Sequence, residues 1–330
     1  MIKLEYVWLD GCAPQQLRSK TKVVSEFSPQ HTPVWGFDGS STEQADGYSS
    51  DCVLKPCRTY PNPLDSGDSY IVLCEVWDVG DTPHPTNHRA RAVSRAAEVS
   101  DLEPWVGFEQ EHTLFTNERP LGWPQDGTEP APQGDYYCGR NEGESLVREH
   151  LDACITAGIG IAGINSEVML GQWEYQIFGA DPILAADDLW IARWLLEKLA
   201  AKKGVLVSLH PKPIKGDWNG AGLHTNFSTK EMRNTDTGYS AIQEAIYKLS
   251  LKQVEHMAVY GKYNKYRLTG NHETCDMNIF KSGVSDRGAS IRIPWKVEKE
   301  QCGYIEDRRP ASNADPYSVI HILLTTICHG

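Results

Sequence analysis

The sequence predicts an α+β protein with a small, strand-rich N-terminal domain and a larger C-terminal domain of mixed strands and helices. The first eighty or so residues alternate short apolar runs with turns, and a turn-rich segment follows at 80–86. Helical periodicities separated by strands occupy the remainder. A chain of 330 residues also exceeds a typical single domain. The predicted domains are therefore 1–82 and 83–330.

The N-terminal domain is predicted from strand-forming runs. The clearest are residues 3–9, 33–37 and 70–79, each bounded by turn-forming residues. The following segment, Gly-Asp-Thr-Pro-His-Pro-Thr at 80–86, cannot continue a strand, so it marks the end of this domain.

The C-terminal domain is predicted to begin with a polar helix at 88–99, a strand at 105–115 and a Pro- and Gly-rich loop through Gln133. Two further helices are predicted from the glycines that end them, 145–157 before Gly158 and 187–203 before Gly204. Two more are predicted from their starts: 240–256, opened by a Ser240 and Gln243 capping box, and a last helix after the Asp315 and Pro316 cap. Strands are predicted at 205–209, 223–227, 289–293 and 303–308.

Charge and cysteine content narrow the class of protein. Acidic residues exceed basic ones by 44 to 32, which disfavours a nucleic-acid partner. The nine Cys form no CxxC pair, and neither an export signal nor a run of transmembrane length is apparent. We therefore expect a reduced, cytoplasmic protein without membrane or nucleic-acid partners. The acidic excess itself fits either a solvated surface or carboxylates gathered around cations.

Two carboxylates lie close together on the predicted strand 105–115. Glu109 and Glu111 are two residues apart, so the period of a strand puts both on one face, while Phe108 and Leu114 face the other. The two acids repel each other unless cations or protons intervene. The strand alone is equally compatible with incidental surface acids.

A second acidic pair flanks a predicted bend. Glu167 and Glu174 lie on either side of Gly171, in an apolar context that includes Trp173 and Tyr175. A carboxylate in such surroundings needs a partner to stay ionised, and a divalent cation is the simplest one. Two surface acids beside a hairpin remain an alternative.

A glycine-rich turn, Gly-Asp-Trp-Asn-Gly-Ala-Gly at 216–222, leads into a strand with His224, Asn226 and Ser228 on one face. The turn allows backbone N–H groups to approach an anion, and His224 is a candidate ligand or donor. An ordinary loop and a hydrogen-bonded His explain the same pattern.

Four arginines near the C-terminus recur beside turns and strands: Arg267, Arg287, Arg292 and Arg308. Guanidinium groups bind carboxylates and phosphates bidentately and stabilise a transferring phosphoryl group, which suits anionic substrates of an acidic protein. Each of them is also explained by a surface salt bridge.

Six segments, taken together, resemble the signatures of a known family in the family's order. They are Trp-Gly-Phe-Asp-Gly-Ser-Ser-Thr at 35–42, Gly-Phe-Glu-Gln-Glu at 107–111, Ala-Gly-Ile-Asn-Ser-Glu-Val-Met at 162–169, Asn-Gly-Ala-Gly-Leu-His-Thr-Asn at 219–226, Arg-Leu-Thr-Gly-Asn-His-Glu at 267–273 and Ser-Ile-Arg-Ile-Pro at 290–294. The sequence resembles the type II, eukaryote-like branch of the glutamine synthetases from about residue 30 to Tyr317.

This resemblance implies an N-terminal β-grasp domain and a C-terminal catalytic domain of curved antiparallel sheet with flanking helices. It also implies a homo-oligomer of stacked rings, expected to be a decamer, with active sites between neighbouring subunits. The implied reaction is ATP-dependent ligation of ammonia to L-glutamate through γ-glutamyl phosphate, which serves nitrogen assimilation.

The resemblance also implies roles for particular residues. One site for Mg²⁺ or Mn²⁺ is expected at Glu111, Glu167 and Glu174, and another at Glu109, His224 and Glu306, with two to three ions per active site. Glutamate is expected at Glu174, Asn219, Gly220, His224, Arg267, Arg287 and Arg308, and ATP at Trp105, Asn226, Ser228, Arg233, Tyr304 and Arg292. Arg292 and Arg308 neutralise the transferring phosphate, Asp38 of a neighbouring subunit receives ammonium, and Glu273 shields the acyl phosphate.

The chain departs from the family pattern in the shortened segment 260–266 and at Asn271, a position that is often aromatic. Two alternatives stay open: a relative that ligates a larger amine, and a catalytically inactive relative. Retention of Asp38 and Glu273 favours ammonia, and retention of all six expected metal ligands favours an active enzyme.

Overall fold

The computed structural model describes residues 1–329, which form two β-sheets and seven helices. The N-terminal sheet has the strand order β2-β1-β5-β4-β3, in which only β1 and β5 run parallel. Its strands are β1 (Ile2–Leu9), β2 (Leu17–Val24), β3 (Trp35–Asp38), β4 (Asp51–Pro61) and β5 (Ser69–Asp78).

The C-terminal domain contains a nine-stranded sheet with the order β12-β13-β14-β11-β6-β9-β8, to which β7 and β10 add by pairing with β6. All of its pairs are antiparallel except β12 with β13. Its strands are β6 (Trp105–Thr116), β7 (Arg119–Pro120), β8 (Ile161–Ser166), β9 (Gln172–Gly179), β10 (Leu206–Ser208), β11 (Leu223–Ser228), β12 (Ser282–Val284), β13 (Ile291–Ile293) and β14 (Ile305–Asp307).

The helices flank this second sheet and confirm the predicted α+β class. They are α1 (His88–Glu98), α2 (Glu144–Ala157), α3 (Pro182–Lys202), α4 (Gly238–Leu251), α5 (Gln253–Val259), α6 (Trp295–Glu300) and α7 (Pro316–Leu323). None of the helices within residues 1–329 is both long enough and apolar enough to cross a bilayer.

Two helix starts show why the boundaries fall where they do. The Asp315 side chain accepts hydrogen bonds from the N–H groups of Tyr317 and Ser318, as the predicted cap requires. Asp181 caps α3 in the same way, with Pro182 in its first turn. The predicted start at residue 187 was therefore five residues late, because the same Asp-Pro signal was present but unused.

The predicted capping box at Ser240 is wrong. Helix α4 begins at Gly238, so Ser240 lies inside its first turn, and Thr237 occupies the cap position without a side-chain hydrogen bond to the helix. The single helix predicted through residue 256 is divided at Lys252 into α4 and α5. Strands β2, β4 and β12 and helix α6 were not predicted, because none has a clear uninterrupted apolar period.

One face of the N-terminal sheet packs into the core of the C-terminal domain, while its other face has a separate core that includes Leu4, Trp8 and Leu54. Buried Tyr60, Ile71 and Leu73 of the N-terminal sheet belong to the same packed cluster as Leu189 and Ile191 of α3. The Tyr60 hydroxyl also donates a 2.9 Å hydrogen bond to Asp188 of α3. The predicted domain boundary at residues 82 and 83 lies between β5 and α1 and stays a prediction.

A bidentate ion pair strengthens this junction. Arg89 of α1 donates through Nε and Nη2 to the two carboxylate oxygens of Asp187, at 2.8 Å each, and through Nη1 to Glu75 of β5 at 2.8 Å. The Tyr317 hydroxyl donates to the same Asp187 at 2.6 Å. The Asp187 side chain is only 2% exposed, so its charge depends on these partners.

We expect Arg89→Ala to lower the free energy of unfolding by about 3–5 kcal/mol, because it leaves Asp187 buried and without its cation. Denaturant titration followed by fluorescence measures this loss. The matched control is Arg148→Ala, which removes an exposed i,i+4 pair with Glu144 and should cost less than about 1 kcal/mol. Equal losses for the two variants would contradict a structural role for the Arg89 junction.

Candidate active site

Five neighbouring strands of the C-terminal sheet bring charged residues onto one face. The five strands follow the path β13-β14-β11-β6-β9. Arg292 of β13 lies opposite Glu306 of β14, which in turn lies opposite Asn226 of β11. His224 of β11 lies opposite Glu109 of β6, and Glu111 of β6 lies opposite Glu174 of β9. Because opposite residues in an antiparallel pair have adjacent Cβ atoms, strand register alone gathers these groups.

The opposite face of the same strands supports this arrangement. On β6 the residues between and beside the acids, Phe108, Gln110, His112 and Leu114, are essentially buried. The predicted division of this strand into an apolar face and an acid-bearing face is thus confirmed, although Gln110 and His112 add polar groups to the buried side. Gln110 is held there by Arg193, whose Nε donates to its Oε1 at 2.8 Å.

The gathered groups line a cavity of about 270 Å³, which we call the acidic cavity. Its lining consists of five carboxylates, three guanidinium groups and three other polar side chains: Glu109, Glu111, Glu167, Glu174, Glu306, Arg287, Arg292, Arg308, His224, Asn165 and Tyr137. If all five acids were ionised, they would exceed the three arginines in charge, an imbalance that a cation would relieve.

Two groups of side chains in the acidic cavity have ligand atoms within 4.8 Å of one another. The first, Glu109, His224 and Glu306, is the set that the sequence resemblance implied. The second contains Glu111 and Glu174, as expected, but its third member is His224. Glu167 lines the same cavity without joining this group, so its role as a ligand stays a prediction.

The electrostatics of the cavity disfavour ionised acids that have no cation beside them. Burial, followed by repulsion from Glu109, Glu111 and Glu167, raises the pKa of Glu174 well above its ordinary value. Burial and then Glu111 raise the pKa of Glu167 to about 8. A divalent cation would relieve the repulsion that now holds protons on these groups.

His224 is a neutral imidazole. Burial, followed by the charge of Arg308, lowers the pKa of His224 to about 3. Arg267 lies 3.0 Å from Nε2, and because a guanidinium can only donate, Nε2 is the acceptor. In this tautomer the other ring nitrogen, Nδ1, carries the proton and lies 3.4 Å from Glu109 and 3.7 Å from Glu306, so a cation between these acids could bind Nδ1 only if the proton moved to Nε2 and Arg267 shifted away from it.

The donor set fits a hard divalent cation. Carboxylate oxygens with one neutral imidazole suit Mg²⁺ or Mn²⁺, and no thiolate lines the cavity in residues 1–329. Second partners already orient the acids: the Gly222 N–H donates to Glu111 at 2.5 Å, and Asn226 donates to Glu109 at 2.9 Å.

Arginines close one side of the acidic cavity. Arg292 and Arg308 contact different oxygens of Glu306, at 2.6 and 2.5 Å. Arg287 lies 2.9 Å from the Glu273 carboxylate, and Arg308 also contacts the Glu273 carbonyl at 3.4 Å. Glu273 is exposed and has a left-handed backbone with a φ of 59°, a conformation that a surrounding loop must hold in place.

A second cavity of about 440 Å³, which we call the aromatic cavity, adjoins the acidic one, because Glu109 lines both. Trp105, Asn226, Ser228, Arg233 and Tyr304, all predicted to contact ATP, line it together. The Arg233 guanidinium lies 3.9 Å from the Trp105 ring centroid and donates to Ser228 at 2.9 Å. Arg292, the remaining predicted ATP residue, lines the acidic cavity.

Three residues expected to bind glutamate lie behind this surface. Asn219, Gly220 and Arg267 do not line either cavity within the described chain. Gly220 packs so closely against Arg267 and the Pro211 carbonyl that a Cβ would lie within 2.7 Å of both. The glycine-rich turn therefore gives Arg267 its place beside His224.

Asp38 is separate from the cavities. It is exposed at the end of β3 and accepts hydrogen bonds from Ser40 and Ser41 of its own segment. These bonds lower the pKa of Asp38 to about 2. Within residues 1–329 no hydrogen bond or ion pair joins Asp38 to the acidic cavity, so this chain alone does not test the expected role.

Sequence reasoning missed three polar residues of the cavities. Asn165 donates to Glu167 at 3.0 Å, and Gln176 donates to Asn165 at 2.7 Å and also to Glu174. Strand alternation from Glu174 could have identified Gln176. Tyr137 lies in the irregular segment between β7 and α2, where no period predicts its direction.

The fold and its two adjoining cavities define an enzyme that can hold divalent cations beside a pocket for a planar group. Residues 1–79 match the β-grasp domain of glutamine synthetases, and residues 84–330 match the glutamine synthetase catalytic domain. The chain belongs to the glutamine synthetase family and is an enzyme of that family.

Individual relatives support this assignment over the whole chain. The chain is 51% identical to the glutamine synthetase of Streptomyces hygroscopicus, over 99% of this chain and 97% of the relative. It is equally similar, at 51%, to the glutamine synthetase of Streptomyces viridochromogenes, over 99% and 96% of the two chains. The glutamine synthetase of the yeast Kluyveromyces lactis is also 51% identical, over 98% and 88%.

We expect the melting temperature of the metal-free protein to fall between about pH 7.5 and 8.5. In this range folded Glu167, with a pKa of about 8, still holds protons that the unfolded chain has released, so each rise in pH favours unfolding. Unfolded histidines have released most of their protons by about pH 7.5, so His224 and the other buried imidazoles with lowered pKa values add little opposing slope above that pH. Calorimetry after chelation measures the change.

Two comparisons make this test specific. Glu167→Gln should flatten the fall, because it removes the titrating group, and saturating Mg²⁺ should reduce it, because the cation replaces the proton. A metal-free melting temperature that rises with pH across this range would show that Glu167 is not the acid we describe.

Proposed function

We propose that this chain ligates ammonia to the γ-carboxylate of L-glutamate at the expense of ATP, giving L-glutamine, ADP and phosphate through γ-glutamyl phosphate. The proposal is supported mainly by one observation: Glu109 is shared by an aromatic cavity suited to a nucleotide base and an acidic cavity suited to cations and a transferring phosphate. Nitrogen assimilation is the proposed role.

The bound cations, two to three Mg²⁺ or Mn²⁺ per site in our proposal, would neutralise phosphate oxygens and activate them toward attack. Glu109, His224 and Glu306 would hold one ion, and Glu111, Glu174 and Glu167 would bind another. Asn165, Asn226 and the Gly222 N–H fix the directions of these acids before substrates arrive.

The nucleotide would occupy the aromatic cavity. Trp105 and the Arg233 guanidinium over it offer a flat surface for a base, and Ser228, Asn226 and Tyr304 supply polar contacts. Its phosphates would then point past Glu109 toward Arg292 and Arg308, which stabilise charge on the transferring group.

Glutamate would lie at the arginine side of the acidic cavity, near Glu174, His224 and Arg287, with Asn219, Gly220 and Arg267 behind them. A bidentate guanidinium suits its carboxylates. Glu273 lies against Arg287 and would cover the reacting carboxyl, which excludes water from the acyl phosphate.

Ammonium would be bound with the help of Asp38 from a neighbouring subunit in a homo-oligomer of stacked rings, with a decamer proposed. The hydrogen bonds from Ser40 and Ser41 keep Asp38 ionised and able to attract a cation. Its exposure on the N-terminal sheet is compatible with a partner's site. We also propose a cytoplasmic location and a domain boundary at 82 and 83.

We expect Glu174→Gln to lower glutamine formation by at least about 100-fold, because it removes a charged ligand from the acidic cavity. The assay supplies glutamate, ammonium, ATP and Mg²⁺ and follows glutamine and phosphate. The control, Glu244→Gln, changes an exposed acid of α4 and should retain full activity.

The same assay distinguishes the two alternatives. Ammonium should be required for ATP consumption by the wild-type protein. If ATP were consumed only with larger amines, one of those amines and not ammonia would be the substrate. If the Glu174→Gln protein kept full activity, the proposed metal-dependent mechanism would be wrong.

Mixed oligomers test the shared site. Asp38→Ala and Glu174→Gln subunits should each be nearly inactive alone, but in an equal mixture about a quarter of the sites should combine an intact Asp38 with an intact Glu174. Co-expression with two affinity tags and an activity assay measure this recovery. If oligomers shown to contain both kinds of subunit recover no activity, then either Asp38 acts in the site of its own subunit or Asp38 is not part of the active site.

A further inference from the structure

A third cavity lies at the junction of the two domains, with a volume of about 440 Å³. None of the residues that line it lines the acidic or aromatic cavity. The turn between β1 and β2 supplies one wall through Gln15 and Gln16, α3 supplies another, and β10 forms a third. We call it the junction cavity.

A buried cation lies in its wall. Arg193 of α3 is 2% exposed and is fixed by Gln110 at 2.8 Å through Nε and by the carbonyls of Ser312 and Ala314 at 3.0 Å through Nη2. Its remaining nitrogen, Nη1, has no hydrogen-bond partner within residues 1–329. Because no carboxylate lies within 4 Å of this guanidinium in that range, the charge is available to an anionic group.

One helical turn further along α3, Glu197 lines the same cavity. The Glu197 side chain is exposed to solvent at the cavity. The surrounding protein partly desolvates the carboxyl, and this raises its pKa. In the described chain it makes neither a hydrogen bond nor a salt bridge. Arg193 and Glu197 thus present opposite charges to the cavity without pairing with each other.

Two residues of the lining, Gln15 and Asn313, carry amide oxygens that have no donor in the described chain. Gln15 donates through Nε2 to the carbonyls of Asp10 and Thr86, and Asn313 donates through Nδ2 to that of Lys262. These bonds fix the orientation of both amides, so their oxygens are identified. Both oxygens are buried and, within residues 1–329, have no donor.

The remainder of the lining is largely apolar. It includes Phe115 at the end of β6, Leu206 and Val207 of β10, and Tyr263, whose ring stacks on His210 with centroids 5.3 Å apart and 22° between planes. Tyr263 lies in the segment 260–266, between α5 and the strands that follow. The cavity therefore offers opposite charges together with an apolar surface.

We propose that the junction cavity binds a free α-amino acid with an apolar side chain. Arg193 Nη1 would receive the carboxylate, Glu197 would receive the ammonium, and the side chain would contact Phe115 and β10. A zwitterion satisfies both charges at once, whereas a simple amine would leave Arg193 unpaired and a simple carboxylate would leave Glu197 unpaired.

Calorimetric titration of the intact oligomer tests the proposal, with L-leucine and L-phenylalanine as probes. Saturating L-glutamate and Mg²⁺ in every titration occupy the active site. We expect saturable binding of at least one probe below about 10 mM. 3-Methylbutylamine and 4-methylpentanoate, which lack the carboxylate and the amino group of leucine respectively, should each bind at least about tenfold more weakly.

Glu197→Gln is the decisive variant. It is nearly isosteric at a solvent-open position, so it should fold and form glutamine at the wild-type rate, but it should weaken binding of the probe about tenfold. Glu98→Gln, an exposed acid of α1 outside the cavity, is the matched control and should bind like wild type.

Three results would overturn the proposal. They are the absence of saturable binding of either probe to the wild-type protein, unchanged binding in Glu197→Gln, and binding of either leucine analogue as tight as that of L-leucine. The first would make the cavity a packing defect, the second would move the binding elsewhere, and the third would make it a site for a simple cation or anion.

Discussion

Repulsion among acids on one face of the C-terminal sheet is the constraint on which this structure depends. Strand register places Glu111 directly opposite Glu174, an arrangement that destabilises a sheet unless the charges are neutralised. The strands stay together because their other face packs into the core through residues such as Phe108 and Phe227, both fully buried. Burial on one face therefore offsets the electrostatic cost on the other.

The electrostatic cost differs between the two ends of the acidic cavity, because only one end has arginines paired with its acid. Glu306 pairs with Arg292 and Arg308, so its charge is balanced by groups of the protein itself. Glu174 and Glu167 have amide partners but no arginine within salt-bridge distance in the described chain, and their pKa values are raised accordingly. The end of the cavity near Glu174 is thus the part whose stability depends most on a cation, while the end near Glu306 is formed in advance.

The sequence predicted much of this site because strand alternation is a local property. It placed Glu109 with Glu111 on one face of β6, and it placed the bend at Gly171, whose φ of 85° confirms the glycine requirement. It could not predict which strands are neighbours or their register, because these follow from packing of the whole sheet. That is why the proximity of His224 to both candidate metal groups, and the positions of Asn165 and Tyr137, emerged only from the structure. Helix α3 was placed five residues late for a different reason: residues 182–186 are apolar on all sides and show no period, and the Asp181 and Pro182 cap that does mark the start was not used.

Strand β6 connects the active site with the junction cavity through alternate residues. Glu109 and Glu111 face the acidic cavity, while Gln110 between them faces the core and binds Arg193. Arg193 is therefore both a clamp on the strand that carries two of the acids and the buried cation of the junction cavity. Changing it would disturb both sites together, and its effects could not be assigned to either one. Glu197 has no such second contact in the described chain, so it alone separates ligand binding in the junction cavity from support of the catalytic sheet.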